Sequence, residues 1–272
     1  MTLSTESTGD TSMAKSAPKH PRNSAPARQR VYLYAVITDD RGRKYGDFGI
    51  DGSEVYSIPG GQVAAVVSNL GVERVRPERS HLAAHQEVLK RLMAETTPLP
   101  MSFGILADSP QAVRNLLSRN QRALLEQLRR VTGKVEMGVR VTWDVPNIFE
   151  YFVNTHPELR RARDEFLAGP GEPTQEDKIE VGRMFDHLLK EDRETYTEKV
   201  EAVLATHCAE IEQRKCRTER EVMNLACLVA RPAMPQFESC VFQAAQQFDN
   251  NFAFDYNGPW APHNFVEIDL RL

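Results

Sequence analysis

The sequence is poor in several things at once. No apolar run approaches the ~20 residues that span a membrane, so no membrane partner is read from it. Cysteine is scarce: Cys208, Cys216, Cys227 and Cys240 lie far apart and form no CxxC. That spacing excludes the common zinc frameworks and a disulfide-built scaffold. There is no GxSxG elbow, no GxxxxGK[ST] phosphate loop and no HExxH helix, so the usual signatures of hydrolases, nucleotide enzymes and zinc proteases are missing. Residues 1–30 hold no aromatic, Val or Ile, and half of them are Ser, Thr, Pro, Gly, Asn or Gln. Such a segment cannot bury enough apolar surface to offset its ordering entropy and reads as a disordered tail. It also lacks the apolar centre of a secretory signal, so a cytoplasmic protein with reduced thiols is the expectation. Positive charge is short as well. The tail carries +3, from five basic and two acidic residues; the whole chain is −4, which leaves −7 from Val31 onward. That is a poor footprint for a nucleic-acid partner.

What is present fills about two domains. Val31–Ile37 (VYLYAVI) has the length and composition of a strand covered on both faces or nearly so. The charged stretch Asp39–Gly52 reads as a loop. Val55–Ile58 and Gln62–Ser68 flank Pro59-Gly60-Gly61, which predicts a hairpin with a type II turn on Pro59-Gly60. Ser80 caps a predicted helix to about Glu95, with Leu82, His85, Leu89, Leu92 and Met93 on its apolar stripe. Pro98–Phe103 is extended and ends at Gly104. Asp108-Ser109-Pro110 is a strong helix start, with a capping side chain and Pro at the first helical position. Gly133 ends that helix, and Val135–Val145 reads as a closing strand. The order predicts an antiparallel sheet with two helices on one face, a ferredoxin-like α+β domain over residues 31–144.

The boundary falls at Asp144-Val145-Pro146. Residues 145–272 read as a C-terminal α+β domain. It opens with a helix pair interrupted near Pro157 and the loop Gly169–Asp177. A long charged helix follows from Lys178 to about Arg217, either whole or divided near Lys190–Thr195, with Thr195 and Glu198 as a capping box for a second piece. Val222–Ala230 is an apolar strand stopped by Arg-Pro. Phe237, Val241 and Ala244 mark a helix face. Phe252, Phe254 and Tyr256 alternate on one strand face, and Val266, Ile268 and Leu270 alternate on a last strand.

Candidate chemistry is thin. His81 and His85 share a helix face, as two metal ligands would, but no third ligand is evident, so packing of His85 and solvation of His81 are the plainer expectation. His207 and Cys208 are adjacent on a predicted helix and diverge by about 100°, too far to act as base and nucleophile. No cofactor is implied. The loop from Asn257 to Asn264 stands out: Pro259 and Pro262 stiffen it and Trp260 sits between them. Such a loop either folds over the aromatic sheet or is displayed to a partner.

This loop also carries a resemblance. Gly258-Pro259-Trp260-Ala261-Pro262-His263-Asn264-Phe265-Val266 is similar to the GPWPPYxFV ending of the gas vesicle protein F/L family, with Ala261 and His263 replacing a usual Pro and Tyr. In family order, Tyr32-Leu33-Tyr34 resembles its YLY strand and Ala64–Ser68 its AVVS strand. His85 with Val88 resembles its H-x-x-V helix, Leu99–Gly104 its LPxxFG segment, and Met223–Val229 its MNxAxLV strand. The resemblance covers residues 31–272. It implies two α+β domains, the first ferredoxin-like, and no enzyme activity. It implies an accessory protein of gas vesicle formation, located at the gas vesicle, whose partners are the small hydrophobic shell protein and other accessory proteins. Pro259, Trp260, Pro262, Phe265, Leu99, Pro100, Phe103 and Gly104 carry over as candidate contact or structural residues. A ligand-sensing module built on a ferredoxin-like domain is the alternative.

Overall fold

The computed structural model describes residues 30–39, 41–168 and 174–267. The N-terminal tail, residues 169–173 of the Gly-Pro loop, and Ile268 and Leu270 of the expected last strand lie outside them.

The first sheet is built on β1 (Val31–Ile37), whose seven residues are all buried. β2 (Lys44–Asp47), β3 (Glu54–Pro59) and β4 (Ala64–Asn69) add to one edge of it in the order β2-β3-β4-β1. β5 (Leu99–Pro100) and β6 (Leu106–Ala107) pair along its other edge, and every pairing is antiparallel. β2 occupies the stretch expected as loop; its Lys44-Tyr45-Gly46-Asp47 has too much charge to read as a strand, which suits an exposed edge. The β3–β4 hairpin forms, but its turn sits two residues later than expected, on Gly61-Gln62. The left-handed residue is Gly61 (φ 83°), and the Gly60 N–H donates to the Val63 carbonyl at 2.8 Å. A positive φ at the first turn position matches strand twist better than a type II turn does.

β1 and β4 are apolar at nearly every position, so both faces of the sheet need cover. α1 (Arg79–Glu95) lies on one face with Tyr32, Tyr34, Ala64 and Val66. α2 (Pro110–Val131) lies on the other with Val31, Leu33, Ala65 and Val67. The expectation of two helices on one face is therefore corrected. A register shift between Leu33 and Ala35 turns both Tyr34 and Ala35 to the α1 side. Ser109 caps α2 as read, accepting from the Ala112 N–H at 3.1 Å, with Pro110 opening the helix. Ser80 does not cap α1; Glu78 holds that place without a side-chain bond, Leu82 is exposed, and Val88 joins the buried stripe.

β7 (Lys134–Trp143) does not close the first sheet. It is a central strand of a second, four-stranded antiparallel sheet in the order β10-β7-β9-β8, with β8 at Glu210–Gln213, β9 at Glu221–Ala230 and β10 at Phe252–Trp260. After β7 come α3 (Ile148–Thr155) and α4 (Pro157–Ala168), the pair broken at Pro157. α5 (Gln175–Leu204) precedes β8, and α6 (Met234–Ala245) links β9 to β10. Strand, helix, two strands, helix, strand in this sheet order is the ferredoxin-like arrangement. The α+β class and its two parts stand, but that arrangement belongs to the C-terminal half, not the N-terminal one. α5 and α6 pack on one face of this sheet, against Val139, Val141, Leu225 and Cys227.

α5 is one helix through residues 190–195. Its capping box is Thr174 with Asp177, not Thr195 with Glu198, and the chain leaves helix at Leu204 to form β8 where helix was expected to Arg217. Arg130 of α2 grips Glu210 of β8 with two nitrogens, tying the two halves together.

Candidate partner-binding site

β10 begins with Phe252, Phe254 and Tyr256 turned toward the helices, where they meet Phe248, Tyr196 and Phe237. Trp260 makes none of these ring contacts. Between Asn257 and Trp260 the strand bulges: Asn257 pairs with Gly138, and Trp260 with Glu136. β10 is an edge strand, so Pro259 breaks no ladder that the sheet needs. Gly258 makes the bulge possible. Its φ is +127°, and a Cβ there would lie 2.9 Å from Met137 Sδ and 3.0 Å from the Glu136 carbonyl oxygen. Gly138 leaves room for the Asn257 side chain to cross β7. The Asn257 Oδ1 accepts from Trp260 Nε1–H at 2.8 Å and fixes the indole.

Beyond Trp260 the chain turns inward. Ala261 and Pro262 are buried, and Phe265 is 1 % exposed in the α2-side core that also holds Leu99. Asn264 is held by Glu136, whose carboxylate accepts from its backbone N–H at 2.8 Å and from its Nδ2–H at 2.5 Å. Burial raises the Glu136 carboxyl above the usual range, while the Asn264 donors and Arg214 act in the opposite direction.

The Leu99–Gly104 segment is internal support. Leu99 and Pro100 are buried on β5. Phe103 is half-buried, 6.0 Å from the Tyr32 ring and 5.8 Å from His85. Gly104 N–H donates to the Tyr32 hydroxyl at 3.1 Å, and that hydroxyl lies 2.8 Å from His85 Nδ1. With the Tyr32 oxygen already accepting, its O–H is free to donate to Nδ1, which leaves His85 a neutral imidazole. His85 Nε2 makes no hydrogen bond of normal geometry. Burial, with nearby His263 adding repulsion, pushes the His85 pKa down to about 4.

Two cavities meet at Trp260. One, of about 610 Å³, runs between the exposed side of α1 and residues 258–261, with Ala83, Leu89, Met93 and Pro259 among its apolar walls. The other, of about 340 Å³, lies on the second sheet and is lined by polar groups that include Arg140, Asn224 and Asn257. Trp260 forms the ridge between them and is 45 % exposed. Of the eight candidate residues, only Pro259 and Trp260 are exposed; Leu99, Pro100, Pro262 and Phe265 are buried, and Phe103 and Gly104 are half-buried. Glu136, Gly138 and Asn257, which hold the ridge in place, carry no local sequence signal. Each sits at an ordinary polar or small position of an alternating strand.

Metal chemistry gains nothing from the geometry. His81 is engaged by the Arg76 carbonyl and Asp51, away from buried His85. Among the described residues no group of three or more His, Cys, Asp or Glu side chains is placed to hold a metal ion. Among the described residues no helix is long and apolar enough to cross a membrane.

The comparison with known sequences decides the family. The model of the gas vesicle synthesis protein GvpL/GvpF family matches residues 30–267. This chain belongs to that family. It is 30% identical over 244 residues to gas vesicle protein F of Streptomyces sp. (strain CB03234), covering 87% of this chain and 99% of the relative. It is 25% identical over 250 residues to gas vesicle protein F2 of Halobacterium salinarum, covering 90% and 95%. The solved structure of gas vesicle protein GvpF from Anabaena sp. PCC7120 superposes with a TM-score of 0.77 at 24% identity, over 89% of this chain and 99% of that one, so the fold is shared. Membership gives the protein a gas-vesicle-related role.

Proposed function

We propose that this protein is a non-catalytic accessory factor of gas vesicle formation that binds the hydrophobic shell protein and assists nucleation, acting at the nascent vesicle in the cytoplasm together with other accessory proteins. One observation carries the reading: Trp260 is 45 % exposed on a bulge fixed by Gly258, Asn257 and Glu136, beside an apolar groove on α1. A shell subunit exposes apolar surface before assembly, and a partner must cover that surface transiently. A large aromatic on a rigid ridge offers contact area with little ordering cost. The exposed groove residues Ala83, Ala94 and Pro259 supply apolar surface beside it.

The test is Trp260→Ala. Shell-subunit binding should weaken by about 1–3 kcal/mol, the range of an interface anchor. Stability should fall by only about 1 kcal/mol, because the indole is not part of the core. Titration calorimetry with the shell subunit and a urea melt on the same preparation give both values. Unchanged binding would remove the groove from the reading. Failure of the wild-type protein to bind any shell or accessory protein would overturn the reading itself.

A further inference from the structure

We infer that the open end of the second sheet's α2-side face, where it meets the turn from Arg214 to Arg217, binds an acidic polypeptide segment. α5 and α6 cover one face of this sheet. Ala226 and Leu228 on the opposite face are buried in the cluster that contains Phe265, but Arg140 and Asn224 are left open to solvent or half-open. At that uncovered end the chain places Arg214, Lys215 and Arg217 within four residues, all exposed. None of the three side chains has an ion-pair partner among the described residues.

The nearby acids are already committed. Glu136 accepts from Asn264, and Glu221 accepts from the Arg217 backbone N–H at 2.5 Å. Glu210 is gripped by Arg130, and Glu212 also lies within reach of that guanidinium's field. Asp255 is paired with Arg140. The turn itself is held in place, with Arg214 N–H donating to the Asn224 carbonyl at 2.7 Å. Two cavities, of about 440 and 340 Å³, share Arg214, Arg217 and Asn224 in their walls. The Asn224 amide, unpartnered among the described residues, can donate and accept as a peptide backbone requires.

Charge complementarity chooses the occupant. Three unpaired cations stand on a chain whose net charge is −4. Fields fall off within about 8 Å at physiological salt, so the local cluster attracts a short run of carboxylates. A long nucleic acid would meet the net negative body beyond that cluster.

The test uses the full chain and a fluorescently labelled hexaglutamate peptide, read by anisotropy. The wild-type protein should bind it, more weakly as salt is raised. The variant carrying Arg214→Ser, Lys215→Ser and Arg217→Ser should bind about tenfold less tightly or worse, with a thermal midpoint little changed, since the three exposed side chains make no ion pair among the described residues and Arg214 acts on Glu136 only at a distance. Absence of wild-type binding at low salt would overturn the inference, as would equal binding by the variant. Tighter binding of a single-stranded oligonucleotide of equal charge would overturn it in favour of nucleic acid. The probe contains no shell protein, so its outcome is separate from the shell-binding reading.

Discussion

His85 shows how one side chain links the core to solution conditions. It is 2 % exposed, packed edge-on or tilted among Tyr32, Tyr34 and Phe103, and bonded to the Tyr32 hydroxyl. Its pKa is about 4 in the folded protein against 6.5 for an ordinary imidazole. Between those values the unfolded chain binds a proton that the folded one does not. The folded state therefore keeps this contribution above pH 6.5 and loses it as pH falls toward 4. The full loss is about 3 kcal/mol. Glu136, with its pKa raised by burial, pulls the other way: its contribution is present below the usual carboxylate range and is lost as pH rises through the raised value. A difference measurement isolates His85. His85→Gln keeps an acceptor for Tyr32 and does not titrate, so urea unfolding at pH 7 and pH 5 should show a smaller pH dependence in the variant than in the wild type. Equal dependence would mean that His85 is protonated in the folded protein.

At the scale of elements, β10 couples fold to display. Gly258→Ala should cost about 1–3 kcal/mol, because the backbone there is left-handed and the added carbon meets Met137 and the Glu136 carbonyl. It should also weaken shell binding through displacement of Trp260, and a denaturant melt with a parallel binding titration checks both. Elements with local signals were readable in the sequence. α2 announces itself through Ser109-Pro110, and Pro157 marks the break between α3 and α4. Elements defined by distant partners were not readable. β8 is Glu-Ile-Glu-Gln, a charged edge strand that continues the helical pattern of α5, and only its pairing with β9 makes it a strand. β7 reads correctly as a strand, yet nothing within it says that β9 and β10, rather than β1, are its neighbours. Misplacing that one strand moved the ferredoxin-like order to the wrong half. The site was half legible for the same reason: Trp260 and its prolines stand out, while Asn257, Gly138 and Glu136 gain meaning only through cross-strand register.

For the molecule as a whole, the larger buried cluster runs without interruption from the α1 face of the first sheet to the helix-covered face of the second. The smaller cluster also draws Ala226, Leu228 and Phe265 from the C-terminal half into the α2 core. Two halves that share both cores should lose them together. Scanning calorimetry should show one transition, with calorimetric and van't Hoff enthalpies equal. Two separable transitions would instead assign independent stability to the two sheets, each with its own helices. The shared core also bears on the site, since the Trp260 ridge stands where α1 of one half meets β10 of the other.

The protein has two tryptophans, and they live in opposite surroundings. Trp143 is 1 % exposed and packed on Phe152, whereas Trp260 is nearly half open to water. Their emission should therefore separate into a blue component that iodide cannot reach and a red component that it quenches. The ridge thus carries its own optical label: arrival of any partner at Trp260 should shield the red component alone, with no dye attached.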